Sequence, residues 1–349
     1  MSGRQVGAPD WGDHRFHRRH LLVFVRAVTA SSAAACAPIP PDSQPSGAHP
    51  VPWVGTVASG TPEWWGSIGR KGNGVGELDT PNAVAVGPDG TVYVADAGNN
   101  RISVFSRAGR TTGVLGQAGK RTGELAFPGG ITVGSDGTVI VADAGNDRVQ
   151  AFLPDGSVGA ILHITKSSVG ALSVPRALVI ARDGRLTVAD SRNHRVVTLG
   201  SDGTTIAAVG RRGRSLGEFN TPKGVAVAPD GTLLIADSAN HRVQRLTPDG
   251  TVVRAWGQRG TKRGEFQNPE AVAVAEDGSV WVADTGNDRI QGFEPDGEAR
   301  WIWGRRGRGV GEVDSPTGIV IDAAGAFVIA DANNHRIHRV APDEVRVPS

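Results

Sequence analysis

The amino-acid sequence predicts an all-β fold, a closed ring of six four-stranded antiparallel blades. Three observations predict it: a motif that recurs six times at constant spacing, turn sequences between short apolar segments, and a strand-like segment ahead of the first repeat. Glycine provides 49 of the 349 residues, about twice its usual share of roughly 7%. This composition disfavours a helical bundle, because glycine destabilises helix interiors.

The recurring motif sets a period of 47 residues. Each copy has an aspartate at the end of an apolar run, then an asparagine three positions later and an arginine five positions later. The aspartates are Asp96, Asp143, Asp190, Asp237, Asp284 and Asp331. A proline keeps the same step, at Pro81, Pro128, Pro175, Pro222, Pro269 and Pro316. The constant spacing favours one ring of equal units over two separate domains.

Within each repeat, the pattern predicts four short strands. In the fourth repeat we expect them at residues 224–228, 233–236, 242–246 and 252–256. Pro-Asp-Gly sequences separate the first strand from the second and the third from the fourth, because proline presets φ and glycine tolerates positive φ. Four antiparallel strands in about 40–50 residues describe one blade of a β-propeller.

The strand count also predicts how the ring closes. Fourth strands follow the first five repeats, near residues 113–116, 158–163, 205–209, 252–256 and 299–303. The sixth repeat has only residues 344–347 beyond its turn, whereas residues 63–68 lie one period before the fourth strand of the first repeat. We therefore expect this N-terminal strand to pair into the last blade, which protects the sheet edges from other chains.

Three repeats carry an Asn-His-Arg sequence, and these motifs resemble the NHL repeat. The sequences are Asn193-His194-Arg195, Asn240-His241-Arg242 and Asn334-His335-Arg336. The resemblance covers about residues 63–347 and implies a six-bladed β-propeller, which we expect to occupy residues 63–349. It implies no single function, because one propeller scaffold hosts unrelated tasks.

Residues present in every repeat are interpreted as scaffold. The Asp-Asn-Arg set recurs six times, and its aspartate and asparagine can cap turns while its arginine grips carboxylates or carbonyls. The small residues two positions after each proline fit a crowded inner rim; they are Ala83, Gly130, Ala177, Gly224, Ala271 and Gly318. A ring of six carboxylates that acts in metal or acid chemistry is the alternative.

The histidines raise a metal hypothesis. Some NHL-repeat proteins are zinc-dependent lyases, and the resemblance places one zinc ligand at the position of His194, His241 and His335, with the others directly after the blade prolines. Those following positions hold Asn82, Gly129, Arg176, Lys223, Glu270 and Thr317. Because catalytic zinc takes three protein ligands, the sequence predicts no metal, cofactor or catalytic residue. A metal-dependent lyase or hydrolase acting in the central channel stays open as an alternative.

The loops predict a polarised ring. The connections between blades are basic and hold Arg70, Lys71, Lys120, Arg121, Lys166, Arg211, Arg212, Arg214, Arg259, Lys262, Arg263, Arg305, Arg306 and Arg308. The opposite face carries Asp89, Asp136, Asp183, Asp230, Asp277, Asp155, Asp202, Asp249, Asp296 and Asp343. The candidate ligand-binding residues are Arg176, Arg211, Arg212, Arg214 and Lys223, on a surface that faces anions. The alternative is that the charges only keep the ring soluble, partly cancelled by Glu77, Glu124, Glu218, Glu265 and Glu312.

The first 35 residues predict an export signal. Arg15, Arg18 and Arg19 precede an apolar run at residues 21–25 and small residues at 30–35, the order typical of a secretory signal peptide. Arg18-Arg19 also resembles a twin-arginine signal, and the small residues before Cys36 resemble a lipoprotein signal that would make Cys36 a lipidation site. Plain cleavage nearby is the alternative. Residues 36–62 hold seven prolines and are expected to form a Pro-rich tether.

Together these features predict an exported, monomeric, non-enzymatic propeller that binds a protein or an acidic polymer at the cell envelope, in the periplasm or outside the cell. Membrane contact would come only through a lipid anchor. The overall charge names no partner, because the chain outside residues 1–35 holds 32 basic and 33 acidic side chains. An RNA-binding propeller is the other alternative, but the leader argues against it, and the connections between blades offer no aromatic stacking platform.

Overall fold

The computed structural model describes residues 64–162 and 170–346. They form six four-stranded antiparallel sheets, each joined to the next along the chain, which confirms the all-β, six-bladed propeller. The predicted signal (1–35), the tether (36–62) with Cys36, and the basic residue Lys166 lie outside the described residues. The helices found among the described residues are all too short to span a lipid bilayer.

The blades are numbered from the first complete repeat, and strands run from the channel outward. Blade 1 holds β2 (Pro81–Val86), β3 (Val92–Asp96), β4 (Arg101–Phe105) and β5 (Thr111–Leu115). Blade 2 holds β8 (Pro128–Val133), β9 (Val139–Asp143), β10 (Arg148–Phe152) and β11 (Val158–Leu162). Blade 3 holds β12 (Pro175–Ile180), β13 (Leu186–Asp190), β14 (Arg195–Leu199) and β15 (Thr205–Val209). Blade 4 holds β16 (Pro222–Val227), β17 (Leu233–Asp237), β18 (Arg242–Leu246) and β19 (Val252–Trp256). Blade 5 holds β20 (Ala271–Val274), β21 (Val280–Asp284), β22 (Arg289–Phe293) and β23 (Ala299–Trp303). Blade 6 holds β24 (Pro316–Ile321), β25 (Phe327–Asp331), β26 (Arg336–Val340) and β1 (Gly66–Ile68).

Short elements complete the chain. A parallel pair, β6 (Gln117–Ala118) and β7 (Glu124–Leu125), lies between blades 1 and 2. A 3₁₀ turn follows each repeated aspartate, at Ala97–Asn99, Ala144–Asn146, Ser191–Asn193, Ser238–Asn240, Thr285–Asn287 and Ala332–Asn334. The helix α1 (Pro342–Val345) follows the last blade, and no sequence pattern predicted it.

Several strand boundaries differ from the predicted ones. In blade 4 the inner strand begins at Pro222 rather than Gly224, because a bulge after the proline lets Pro222 pair with Asp237 and Gly224 with Ala236. A proline has no N–H to give to a regular ladder, so a bulge accommodates it. The N-terminal strand is shorter than the predicted 63–68, and the outer strand of blade 1 begins at Thr111.

The closure of the ring is confirmed. β1 pairs antiparallel with β26, with Ser67 opposite His338, and the Ser67 hydroxyl lies 2.8 Å from the His338 Nδ1. Trp64 is buried in the cluster between blades 6 and 1. The Arg339 guanidinium lies 4.5 Å from the centre of the Trp65 ring. The N-terminal strand therefore joins the last blade through backbone, polar and aromatic contacts.

The inner rim is crowded, as predicted from its small residues. A Cβ added at Gly130 would lie 2.7 Å from the carbonyl oxygen of Arg176, and one at Gly224 would lie 2.8 Å from that of Glu270. At Gly318 it would lie 2.9 Å from the Cα of Ala83. Contacts this short force the backbone to move, so glycine at these positions lets neighbouring inner strands converge on the axis.

Candidate functional site

The repeated aspartates are saturated structural groups. In blade 4, Asp237 is fully buried; its Oδ1 accepts the Asn220 N–H at 2.7 Å. Its Oδ2 accepts Asn240 Nδ2 at 2.9 Å, Arg242 Nε at 2.8 Å and Gln244 Nε2 at 3.2 Å. Arg242 also donates to carbonyl oxygens of the loop that enters the blade. This arrangement agrees with the scaffold interpretation, because it leaves no free carboxylate oxygen for chemistry.

The three histidines of the Asn-His-Arg sequences join neighbouring blades. The Nδ1 of His194 accepts the N–H of Thr221 at 3.0 Å, and the Nδ1 of His241 accepts the N–H of Asn268 at 3.1 Å. His335 accepts from Thr80 in the same way, and Asn100, Asp147 and Asp288 do so with Oδ1. All six acceptors and all six donors have positive φ, between 44° and 58°. The position therefore selects a residue that tolerates left-handed backbone and offers an acceptor.

These hydrogen bonds need an imidazole that has no proton on Nδ1. Burial, helped by the charge of Arg212, lowers the pKa of His194. Burial, helped by the charge of Arg259, likewise lowers the pKa of His241. Both rings are thus held in the neutral form that can accept.

One residue from each blade lines the entrance of the central channel on the side where the inner strands begin. The channel encloses a cavity of about 90 Å³. The six entrance residues each follow a blade proline and are Asn82, Gly129, Arg176, Lys223, Glu270 and Thr317. The structure thus brings the predicted Arg176 and Lys223 to one entrance.

Most polar groups at this entrance are already paired. The Lys223 ammonium forms an ion pair with Glu270 of the next blade. Thr317 Oγ1 donates to the Pro81 carbonyl at 2.9 Å, and Asn82 Nδ2 lies 3.4 Å from the Pro128 carbonyl. Within residues 64–162 and 170–346, the half-buried Arg176 has no hydrogen bond or ion pair. Arg176 is therefore the entrance cation that can still bind an anion.

An exposed aromatic ring lies beside Arg176, which differs from the expectation that these loops lack one. Phe127 is 45% exposed, and the Arg176 guanidinium lies 5.6 Å from its ring centre. The equivalent positions in the other repeats hold Thr80, Val174, Thr221, Asn268 and Ser315. A comparison of the repeats position by position would have singled out Phe127 as the one aromatic in that set.

The connections between blades, here called the link loops, lie on the same face as this entrance. They span residues 69–80, 116–127, 210–221, 257–268 and 304–315, and the structure describes residues 170–174 of the connection between blades 2 and 3. The predicted Arg211, Arg212 and Arg214 are all exposed on the fourth of these loops. Arg211 pairs with Glu218 at 2.9 Å, so only Arg212 and Arg214 keep a free charge there. The structure thus separates the predicted set into two groups, one at the entrance and one on the loop.

Glutamates that recur in five of the six repeats neutralise part of the basic face. Arg70, Arg121, Arg211 and Arg305 each pair with the glutamate of their own loop at 2.7–3.1 Å. The Arg121 side chain lowers the pKa of Glu124 to about 2. Backbone N–H groups of the loop are the main cause that lowers the pKa of Glu77, Glu218, Glu265 and Glu312. These carboxylates therefore stay ionised and hold the loops folded.

Other cations on the link-loop face remain available. Those that are exposed and form no ion pair with any residue the structure describes are Lys71, Lys120, Arg212, Arg214, Arg259, Lys262 and Arg308. Apolar side chains lie among them at one shared repeat position: Val75 is 46% exposed, Leu216 64% and Val310 73%. Arginine is enriched at protein interfaces, and the buried centre of an interface is apolar.

The acidic residues of the opposite face, here called the turn face, are occupied by their own turns. Asp89 Oδ1 accepts the N–H of Thr91 at 2.9 Å, and Asp202 Oδ1 accepts the N–H of Thr204 at 2.9 Å. The same contact recurs at Asp136, Asp155, Asp183, Asp230, Asp249, Asp277 and Asp296. Among the residues described, no group of three His, Cys, Asp or Glu side chains has a geometry that could hold a metal ion.

Comparison with known proteins agrees with this architecture. A family model for the NHL repeat matches residues 78–105, 125–152, 219–246, 266–293 and 314–340, which lie in blades 1, 2, 4, 5 and 6. A search of proteins of curated function finds no match.

Solved structures share the fold at low sequence identity. A catalytically inactive virginiamycin B lyase from Staphylococcus aureus with quinupristin is 15% identical, with a TM-score of 0.54 over 77% of this chain and 81% of that one. A gluconolactonase from Xanthomonas campestris is 17% identical, with a TM-score of 0.58 over 76% and 87%. At these identities the likeness extends to the fold alone. Five matched repeats in a ring of six four-stranded blades show that the chain belongs to the NHL-repeat family.

Proposed function

We propose that the protein is an exported, non-enzymatic binding module that uses its link-loop face to hold a protein or an acidic polymer at the cell envelope. One observation carries the proposal. Seven exposed cations without an ion pair among the described residues share that face with three exposed apolar side chains at one repeat position. The scaffold needs neither set, because its own loops are held by the paired glutamates.

The entrance of the channel supports the same face. Arg176 has a guanidinium free to bind a carboxylate or phosphate, and Phe127 beside it offers an exposed ring. Arginine is one of the residue types that dominate binding energy at interfaces. We infer that the entrance contributes the central contact and that the link loops add charge around it.

The test compares two double variants with the same charge change. Arg212→Glu with Arg214→Glu alters the link-loop face; Arg110→Glu with Arg254→Glu, exposed residues of the turn face and of an outer strand, is the control. On immobilised polyglutamate at low salt, the first variant is expected to elute early and the control with the unaltered protein. Equal retention of both variants would exclude the link-loop face.

A single change separates a protein partner from an acidic polymer. Leu216→Ser removes an exposed apolar side chain and leaves the charge intact. It is expected to weaken capture of a protein partner from envelope extract and to leave retention on polyglutamate unchanged. If it changes neither while Arg176→Glu abolishes both, the apolar side chains have no part in binding.

Export is tested on the protein recovered from cells. The proposal expects a mature chain in the envelope fraction, cleaved near residue 36, and intact mass shows whether Cys36 carries lipid. Full-length protein in the cytoplasm would contradict it and would favour the RNA-binding alternative.

The enzymatic alternative draws on the lyase and the gluconolactonase that share the fold. A metal-dependent lyase or hydrolase would act in the central channel. Metal analysis of the purified protein tests it, since stoichiometric zinc or calcium would favour an enzyme over the binding module.

A further inference from the structure

A second cavity, on the turn face, interrupts the regular packing of the ring. It has a volume of about 380 Å³ and lies at the end of the interface between blades 3 and 4, reaching β20 of blade 5. That volume lies in the range of small-molecule sites, about 300–1,000 Å³. It opens away from the link-loop face, so the proposed partner surface and this cavity are independent.

The cavity lies where blade 3 carries a threonine, Thr187, at a position that holds a larger side chain in four of the other five blades. The position of Thr187 in β13 holds Tyr93, Ile140, Leu234, Trp281 and Val328 in the other blades. In blade 5, Trp281 fills the same space, stacked 5.3 Å from Trp301 and edge-on to Phe327 at 4.6 Å. The space that Trp281 fills in blade 5 is open beside Thr187 in blade 3.

Blade 3 also places an isolated polar pair on the cavity wall. Thr187 and Thr198 lie opposite each other on β13 and β14, line the cavity, and are only 2% and 6% exposed. Their hydroxyls are 3.2 Å apart and make no other hydrogen bond to a described residue. One hydrogen bond uses one of two hydroxyl hydrogens, so the second has no acceptor in the described protein. A buried donor of this kind needs a partner.

The remaining wall indicates the chemistry of that partner. Apolar side chains surround the threonine pair, among them Val179, Val227 and Leu233. The charged lining consists of two basic and two acidic residues, Arg182, Arg185, Asp183 and Glu276, and Arg185 pairs with Asp183 at 2.6 Å. The charges sum to zero, so the cavity has no net attraction for an ion.

We propose that this cavity binds an uncharged, mainly apolar small molecule whose carbonyl oxygen accepts a hydrogen bond from the Thr187–Thr198 pair. The apolar walls supply the binding energy, and the hydroxyl pair fixes the orientation of the ligand.

Two dyes that differ in charge test the proposal on the full chain. Prodan is an uncharged naphthalene ketone, anilinonaphthalene sulfonate is its anionic counterpart, and the emission of both shifts to the blue in apolar surroundings. Saturable one-to-one binding of prodan is expected, tighter than that of the sulfonate. A water-filled cavity that takes up no prodan, or tighter binding of the sulfonate, would overturn the assignment.

Three variants locate the dye. Thr187→Leu introduces the residue that blade 4 has at this position and is expected to weaken prodan at least tenfold. Thr198→Val keeps the shape, removes a hydroxyl, and is expected to weaken it about fivefold, the effect of one neutral hydrogen bond. Ile140→Leu, at the same position of blade 2, is the control and should bind as the unaltered protein does. Unchanged binding in Thr187→Leu would overturn the proposal, and Thr198→Val keeps it testable if the larger side chain disturbs folding.

Discussion

The Asp237 network allows a quantitative test of the scaffold. Asp237→Asn preserves the size of the side chain and replaces one carboxylate oxygen by an amide that donates. The Oδ2 of Asp237 accepts from three donors, on Asn240, Arg242 and Gln244. An asparagine NH2 group in place of Oδ2 would therefore face donors only. Turning the amide the other way sets it against the Asn220 N–H, which Oδ1 accepts at 2.7 Å. Either orientation leaves the Arg242 guanidinium without its counter-ion.

The expected loss follows from burial. Removing one partner of a buried ion pair costs about 3–5 kcal/mol, because the remaining charge is desolvated and unpaired. For a cooperative unit of this size, each kcal/mol shifts the melting temperature by about 2–4 °C. Asp237→Asn is therefore expected to lower the melting temperature by about 6–20 °C.

Thermal unfolding followed by circular dichroism measures this shift. The control is Asp249→Asn, in an exposed turn where the carboxylate accepts only from Thr247 and Thr251, and it should cost less than about 1 kcal/mol. If Asp237→Asn melts within about 2 °C of the control, the repeated aspartate does not hold the blade as argued.

Three further substitutions test other parts of the ring. Burial lowers the pKa of His338 in the folded protein. The stabilisation that neutral His338 gives is therefore complete above its unfolded-state pKa of about 6.5, and it is lost as the pH falls through the folded-state pKa. His338→Gln introduces the residue that three other blades have at this position. Between about pH 7.5 and 5.5, the melting temperature of this variant should fall less than that of the unaltered protein, and an equal fall would contradict the argument. His241→Asn should keep the melting temperature at neutral pH, because asparagine also offers an acceptor. His241→Ala leaves the Asn268 N–H without its acceptor and should lower the free energy of unfolding by about 1–3 kcal/mol, measured by urea unfolding. Equal losses in the two variants would refute the acceptor role. Gly224→Ala places a Cβ 2.8 Å from the Glu270 carbonyl oxygen and should lower the free energy of unfolding by about 1–3 kcal/mol. The control Gly159→Ala lies on an outer strand beside the flexible Leu153 side chain, and it should lower that free energy less in the same assay.

The fold could be predicted because its determinants are local and repeated. The Asp-Asn-Arg spacing encodes a turn whose carboxylate and guanidinium satisfy each other within one blade. The one-period offset of residues 63–68 encoded the closing strand, which the pairing of β1 with β26 confirms. The start of the inner strand was less predictable in five blades, because a proline that pairs across a bulge does not look like part of a strand.

The candidate site was less predictable because it depends on neighbours 47 residues apart. Lys223 and Glu270 occupy the same repeat position in adjacent blades, so the charge of Lys223 is neutralised by a contact that only the ring creates. The availability of Arg176 depends likewise on its unpaired guanidinium and on the exposed Phe127 one blade earlier. The sequence lists the charges of a face, and the packing of blades decides which of them remain free.

The histidine position shows why residue type alone is a weak guide to metal binding in this ring. Asn100, Asp147 and His194 make the same contact, from an acceptor atom to the N–H that precedes the next blade. What the backbone requires there is a positive φ and one lone pair, and an amide, a carboxylate and a neutral imidazole all supply it. A metal ligand would use a lone pair of the imidazole, and in the blade 3 histidine the Nδ1 pair is already taken by Thr221. Three histidines at one repeat position therefore follow from backbone geometry, without any metal to explain them.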